Sequence, residues 1–385
     1  RSDGAMKIAG DWLDNPGTQA LMLSLENAGH KALFVGGCVR NALLHEPVGD
    51  VDIATDAMPE TVSNTAENAG FKVIPTGIDH GTVTVVADGV PHEVTTFRRD
   101  VETDGRRAVV AFSTEIEEDA QRRDFTMNAL YADRQGTVID PLDGLPDLLA
   151  RRVRFVGDPE TRIREDYLRI LRFFRFHACY GDPEGGLDPE SLAACAAFSA
   201  GLETISKERI TAELRKLLSA RDPAPAVAAM AQSGVLLHIL PGADPRALAP
   251  LVHLDAGEPR RWLRRLSVLG GDTEGLRLSK VEARDLATLR VALGVIETPA
   301  ASGWQLGEAL AADAILARAA SLGTLPTAEW QTEVRRGAKA RFPITAADLM
   351  PAFQGEVLGA RLRDLQSRWL ASDLTLSRED LLKGA

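Results

Sequence analysis

Cysteine is scarce in this chain: Cys38, Cys179 and Cys195 are the only three in 385 residues, with no CxxC and no Cys/His spacing. That excludes a disulfide framework or a zinc module and fits a reducing cytoplasm. No apolar stretch approaches the ~20 residues of a membrane span, and no signal-peptide pattern is present. A cytoplasmic protein without a membrane partner is therefore expected. Positive charge is not in excess, since 44 Lys and Arg stand against 55 Asp and Glu, a net charge of −11. A uniformly basic surface is excluded, but nucleic acid is not, because a local basic stripe suffices to bind it. Neither a fixed-period repeat nor a low-complexity linker occurs. The length exceeds one ordinary core. β-Branched runs almost cease beyond Pro141, where Ala, Leu and Arg dominate. The expected fold class is α+β, with a mixed head followed by helices. Arg1–Ala5, ahead of Met6, read as an expression remnant and are left out of that expectation.

The stretch Leu33–Thr55, LFVGGCVRNALLHEPVGDVDIAT, organises the rest. Ala32–Val35 predicts a buried strand, Gly36-Gly37 breaks it, and Val39–Leu44 has the spacing of a short helix. After Pro47-Val48-Gly49 the run Asp50–Ala54 predicts a second strand. Residues two apart on a strand share a face, which sets Asp50 and Asp52 side by side. Two such carboxylates repel and raise a pKa unless they share divalent cations, and Mg²⁺ favours carboxylate oxygens together with substrate phosphates. Gly36 and Gly37 let backbone N–H groups approach a phosphate, and Arg40 adds a fixed positive charge. Together these suggest a metal-dependent nucleotidyl transfer site.

Elsewhere in the head, Gly10–His30 predicts an amphipathic helix with Leu21, Leu23 and Leu25 on its apolar side, and Pro59 opens another. Phe71–Ile74, Gly81–Val86 and Glu93–Phe97 predict strands. Glu93 can bring a third carboxylate to the Asp pair. The turn Thr76–Thr82, which includes His80, could touch a ribose or phosphate. Arg98–Val110 reads as a charged, glycine-containing loop with a basic pair, Arg106-Arg107. In RRDFTMNAL, Phe125, Ala129 and Leu130 can anchor a helix and leave Arg123, Asp124 and Asn128 on its polar side, suited to a triphosphate and a sugar hydroxyl.

The stretch Arg162–Phe176, RIREDYLRILRFFRF, predicts a buried helix with Arg169, Arg172 and Arg175 along one ridge facing a polar cleft. Asp166 accepts and Arg169 donates, so the pair complements a base edge. Cytosine and adenine each offer an amino donor beside a ring-nitrogen acceptor. Uracil and guanine present the opposite order. Glu165, four residues before Arg169, is placed to fix its direction.

GGCVRN…DVD, RRDFTMNAL and EDYLRILRFFRF, in this order, resemble the class II tRNA nucleotidyltransferase/poly(A) polymerase family, most closely its bacterial CCA-adding members. The likeness is strong over Phe34–Leu218, including DPLDG (Asp140–Gly144) and SKERITAELRKLL (Ser206–Leu218), and weaker to the C-terminus. It implies a polymerase-beta-like nucleotidyltransferase head (6–140), a helical neck (141–220) and a helical body and tail (221–385). It further implies two Mg²⁺ ions on Asp50 and Asp52, and CTP and ATP held by Gly37, Arg40 and Arg123. Asp166 and Arg169 would read the base, and Arg172 and Arg175 would reach phosphates. The partner would be the tRNA 3′ end, with no DNA expected. The loop Arg98–Val110 resembles the flexible loop required for terminal A addition. Asn41 stands where the family usually has Asp, and the glycine usual before the next turn is replaced around His45-Glu46-Pro47. Phosphate contacts in the helical half are expected from Arg260, Arg261, Arg264 and Arg265, and from Arg335, Arg336, Lys339 and Arg341. Alternatives are a poly(A) polymerase or A-adding enzyme of the same family, and a non-catalytic RNA-binding relic.

Overall fold

The computed structural model describes residues 6–75, 77, 80–101, 109–259 and 261–383. Thr76, Ile78 and Asp79 of the expected polar turn, and Arg106, Arg107 and Arg260 of the expected RNA contacts, lie outside the described residues. The chain forms two compact units, one ending at Ile205 and the other starting at Ser206.

The first unit opens with α1 (Pro16–Asn27). The sequence predicts a start at Gly10, but the helix begins only where the Asn15 side chain accepts the Thr18 N–H at 3.0 Å and Pro16 occupies the first turn. Leu21 and Leu25 are buried and Leu23 is exposed, since residues two apart cannot share a helix face. Next come β1 (Ala32–Val35), α2 (Gly37–Leu43), β2 (Asp52–Thr55), α3 (Pro59–Asn68), β3 (Lys72–Ile74), β4 (Thr82–Ala87) and β5 (Val90–Thr96). β6 (Arg98–Val101), β7 (Val109–Phe112), α4 (Ile116–Gln121), β8 (Tyr131–Ala132) and β9 (Val138–Ile139) follow. Seven strands form a mixed sheet in the order β3-β4-β5-β2-β1-β8-β9, with β2 and β5 parallel and the other pairs antiparallel. β1 is buried at every position, whereas β5 alternates, with His92, Val94 and Thr96 inward and Glu93 outward.

Arg98–Val110, expected as a loop, instead begins and ends in a separate two-stranded ladder, Arg98 opposite Phe112 and Val101 opposite Val109. The valines flanking its charged centre favour strand. RRDFTMNAL also departs from expectation, forming a single 3₁₀ turn at Thr126–Asn128 rather than a helix.

Four helices complete this unit: α5 (Leu145–Leu149), α6 (Pro159–Glu165), α7 (Leu168–Tyr180) and α8 (Pro189–Ala197). The single helix predicted over Arg162–Phe176 is two, because Asp166 is extended at φ −156°, ψ 104°. Its carboxylate accepts the Leu168 N–H at 3.1 Å, so it starts α7 in the manner of a capping residue. Phe173 and Phe176 of α7 join Phe125 and Phe155 in an aromatic cluster, with Phe125–Phe176 centroids 4.9 Å apart. This cluster fixes α7 against the RRDF segment.

The second unit is helical throughout its described residues: α9 (Lys207–Leu218), α10 (Ala224–Gln232), α11 (Val235–Ile239), α12 (Leu248–Leu254), α13 (Trp262–Leu269), α14 (Lys280–Leu293), α15 (Pro299–Leu306), α16 (Glu308–Leu322), α17 (Trp330–Lys339), α18 (Ala346–Leu349), α19 (Gly355–Ala371) and α20 (Arg378–Leu382). α15 and α17 touch so closely that a Cβ at Gly337 would lie 1.8 Å from the Ala300 carbonyl oxygen. Trp369 and Leu365 centre the last apolar cluster.

Arg264 and Arg265, expected to contact RNA, are each 1% exposed. Arg264 Nε donates to Asp313 at 2.8 Å, and Arg265 donates to Asp255 at 3.1 Å and to the Leu218 and Ala220 carbonyls at 2.8 and 2.5 Å. Both are interior ties that cannot reach a phosphate, which corrects that expectation. Arg261 also donates to Asp313, at 2.6 Å, but keeps 38% of its side chain exposed.

Candidate active site

Three acids come together around two central strands of the mixed sheet, β2 and β5. Asp52 begins β2 and stands directly opposite Glu93 on the parallel strand β5. Neighbours in register point to the same face, so their carboxylates share it. Asp50 lies two residues ahead of β2, not within it as the sequence predicts, and is exposed. Burial, then the charges of Glu93 and of Asp50, push the Asp52 carboxyl from 3.8 up to about 6, with Arg123 acting in the opposite sense. Among the described residues, none of these three side chains makes an ion pair or a hydrogen bond. Nor do they form, with any other His, Cys, Asp or Glu among the described residues, a ready-made metal cage. Uncompensated hard oxygen donors, open on one side, fit a divalent cation that takes its remaining ligands from substrate phosphates and water.

Above these acids is the glycine turn. Gly36 has φ +69°, the left-handed conformation, and pivots the chain from β1 into α2. Its N–H donates to the Leu130 carbonyl at 3.1 Å and so is not available to a phosphate, contrary to expectation. Arg123 approaches this turn: its Nη1 would lie 3.5 Å from a Cβ at Gly36. The guanidinium is held from behind, donating to Asp119 at 2.9 Å and to the Tyr131 hydroxyl at 3.1 Å, while that hydroxyl donates to Asp119 at 2.7 Å. Burial alone would lower the Arg123 pKa, but the Tyr131 and Asp119 oxygens more than offset it and raise it. Arg123 is therefore a fixed cation beside the acids and the turn.

Arg40 is placed differently. It is buried, donates to Asn128 at 2.6 Å, to Asn41 at 2.9 and 3.1 Å and to the Tyr180 hydroxyl at 2.8 Å, and stacks 3.9 Å from the Tyr180 ring centre. Asn128 in turn donates to Asp124 at 2.9 Å, and Asp124 accepts Arg172 Nε at 2.8 Å. Burial would raise the Asp124 pKa, yet the Arg172 charge and three donated hydrogen bonds hold it below the ordinary value. The chain Tyr180–Arg40–Asn128–Asp124–Arg172 thus ties α2 and the RRDF segment to α7. Sequence reasoning gave Arg40, Asp124, Asn128 and Arg172 to the nucleotide; in the structure these four also hydrogen-bond to one another. Asn41 accepts from Arg40, and its own amide donates to the Pro47 carbonyl at 2.8 Å, closing the turn in which His45 holds φ +56°.

At the start of α7, Arg169 donates to Glu165 and to the Arg162 carbonyl, the latter at 2.7 Å. Glu165 thus directs Arg169 as expected, although the two residues lie on either side of the helix break. Asp166 sits between them at the break. Arg175 stacks 4.5 Å from the Phe176 ring. Three positions escaped the sequence reading: Asp119, Tyr131 and Tyr180. Only Asp119 carried a signal, its i, i+4 spacing to Arg123. In the second unit Arg335, Lys339 and Arg341 are exposed, whereas Arg336 pairs with Glu333 and Asp373.

Among the described residues no helix is long and apolar enough to cross a membrane. The Poly A polymerase head domain family matches residues 32–154, and the family described as the probable RNA and SrmB-binding site of polymerase A matches residues 186–246. The chain is 44% identical over 190 residues to CCA tRNA nucleotidyltransferase 1, mitochondrial, of Homo sapiens, a match spanning 49% of this chain and 44% of that protein. It is 36% identical over 380 residues to the CCA-adding enzyme of Geobacillus thermodenitrificans, covering 96% of this chain and 86% of that one. The crystal structure of the Bacillus stearothermophilus CCA-adding enzyme in complex with CTP superposes with a TM-score of 0.71 at 30% identity, over 93% of each chain. With the mixed sheet, the acid cluster and the arginine-bearing α7 in place, the chain belongs to the tRNA nucleotidyltransferase/poly(A) polymerase family.

Proposed function

We propose that this protein adds C, C and A to the 3′ end of tRNA from CTP and ATP, without a nucleic-acid template, in the cytoplasm. The observation that carries the reading is the trio Asp50, Asp52 and Glu93, acids whose side chains make no ion pair or hydrogen bond among the described residues, whereas buried Asp255 and Asp313 are paired with arginines. Asp50 and Asp52, with Glu93 beside them, would hold divalent cations such as paired Mg²⁺, which when bound neutralise triphosphate charge and lower the pKa of the tRNA 3′-hydroxyl. That hydroxyl attacks the α-phosphorus in line, the new P–O bond forms, and pyrophosphate leaves. The protein's own share is positioning and charge. Arg123, locked by Asp119 and Tyr131, faces the phosphates across the Gly36-Gly37 turn. Arg175, on α7, lies within electrostatic reach of Arg40 and contributes positive charge there. Asp166 accepts from the amino group of cytosine or adenine while Arg169, aimed by Glu165, donates to the adjacent ring nitrogen. Uracil and guanine would meet acceptor with acceptor and donor with donor, an arrangement that leaves polar groups unpaired.

The test is to incubate the protein with Mg²⁺ and tRNA lacking CCA, giving CTP alone, ATP alone, then both, and to size the products. Two Cs followed by one A, with arrest, is the expected result. A long A tail would make it a poly(A) polymerase, and tight tRNA binding without any product would make it a relic.

A further inference from the structure

With Arg264 and Arg265 buried, the phosphate contacts expected of the helical unit need another source. We infer that a basic concavity formed by Arg215, Arg277 and Lys280 beside Trp262 holds the phosphate backbone of the RNA substrate; this rests on the tRNA reading above and adds the surface that grips it. The outward face of α9 carries Lys207, Arg209, Arg215 and Lys216 with one acid, Glu208. The loop between α13 and α14, with the start of α14, brings Arg277 and Lys280 against that face, enclosing an open cavity of about 580 Å³.

Hydrogen bonds tie the loop beside this cavity to α9. The Arg277 N–H donates to Thr211 Oγ1 at 2.8 Å, pinning the loop to α9, and Lys207 Nζ donates to the Glu274 carbonyl at 2.5 Å. Arg215 lies 4.9 Å from the Trp262 ring centre and donates to Glu282 at 2.7 Å. The Arg277 side chain is 74% exposed and reaches Glu208 only at 3.7 Å. Ser279 and Glu282 form a capping box at the start of α14, so the positive potential there comes from side chains rather than open backbone. Across the face six cations stand against Glu208, Glu274 and Glu282, in a protein whose net charge is −11. Even with Arg215 paired to Glu282 and Arg277 near Glu208, this excess of positive charge attracts a polyanion. A polyanion with spaced phosphates suits several cations spread along a concavity, and the Arg215–Trp262 stack offers a flat surface beside it. SKERITAELRKLL, which carries part of the family likeness, thereby gains a role.

The test uses the full chain and tRNA lacking CCA, with affinity measured by fluorescence anisotropy between 50 and 200 mM salt. The double variant R277Q/K280Q is expected to bind tRNA roughly tenfold or more weakly at 100 mM salt, with the salt slope reduced by about two, as for two lost phosphate contacts. KM for tRNA should rise while KM for CTP moves less than twofold, and the charge-preserving R277K/K280R should restore binding. An unchanged affinity and slope in R277Q/K280Q overturns the inference while leaving CCA addition by the wild type standing. Weak binding that R277K/K280R does not restore also overturns it, since the side chains would then matter for shape and not for charge. A wild type that adds nothing and binds no tRNA defeats the underlying reading instead.

Discussion

Two clusters of acids divide the chemistry of this molecule. In the helical unit Asp255 and Asp313 are almost fully buried and saturated by Arg261, Arg264 and Arg265. In the sheet-containing unit Asp50, Asp52 and Glu93 stand together, half in solvent, with no ion pair among the described residues. In the first, guanidinium groups hold each buried acid, although burial still leaves the Asp313 pKa raised. In the second, the Arg123 charge offsets only part of the burial and repulsion, and the Asp52 pKa stays raised to about 6. Identical side chains are therefore paired in one unit and left open to a proposed cation in the other, and the arrangement of partners, not composition, decides which.

The comparison breaks most clearly at Asp52. Asp52→Ala, or Asp50→Ala, is expected to reduce nucleotide addition by roughly a thousandfold or more, equivalent to several kcal/mol of charge stabilisation, with tRNA affinity and folding retained. Near-wild-type rates in a primer-extension assay would end the metal assignment. Removing an arginine from the saturated cluster should do the reverse. Arg264→Ala leaves Asp313 buried with one partner fewer, and a loss of about 3–5 kcal/mol in urea unfolding is expected. If the loss is under about 1 kcal/mol, the cluster is not the tie described here.

A third test falls between these extremes. Arg169→Ala should cost selectivity, lowering the preference for C and A over U and G by roughly 10–100-fold, the worth of one good bidentate base contact, with little change in stability. Unchanged selection in single-nucleotide assays would remove Arg169 from base reading. The smallest effect concerns pH. The folded Asp52 pKa of about 6 lies above its ordinary 3.8, so the folded state holds a proton the unfolded chain lacks between those values. Its stability contribution is therefore full below about pH 4 and lost as pH rises through 6. A cation needs the ionised carboxylate, so Mg²⁺ should raise the melting temperature by a few degrees at pH 7.5 and by almost nothing at pH 5. Equal shifts at the two pH values, seen by calorimetry, would contradict the site.

Much of the head was legible because its signals are local. Gly36-Gly37 after four buried residues marks a strand end, and Asp50-x-Asp52 marks a pair of acids. What failed was whatever depended on neighbours distant in sequence. RIREDYLRILRFFRF has a continuous helical pattern, yet Asp166 interrupts it, because an aspartate can satisfy a helix start as well as continue a helix. EPRRWLRRLSVL reads as a basic surface helix and is instead partly core, since Asp313 lies 49 residues beyond Arg264 in sequence and nothing local announces it.

The sequence by itself determined the order of motifs, the mixed head and helical remainder, the acid pair and the Glu165–Arg169 pairing, because these rest on spacings of a few residues and on side-chain chemistry. Only the tertiary structure decided which charges are compensated. Glu93 joins Asp52 through a parallel pairing some forty residues apart, Arg40 is claimed by Tyr180 from across the unit, and Arg264 and Arg265 turn inward. A charge is judged by what stands within a few ångströms of it, and in a folded chain those neighbours are set by packing.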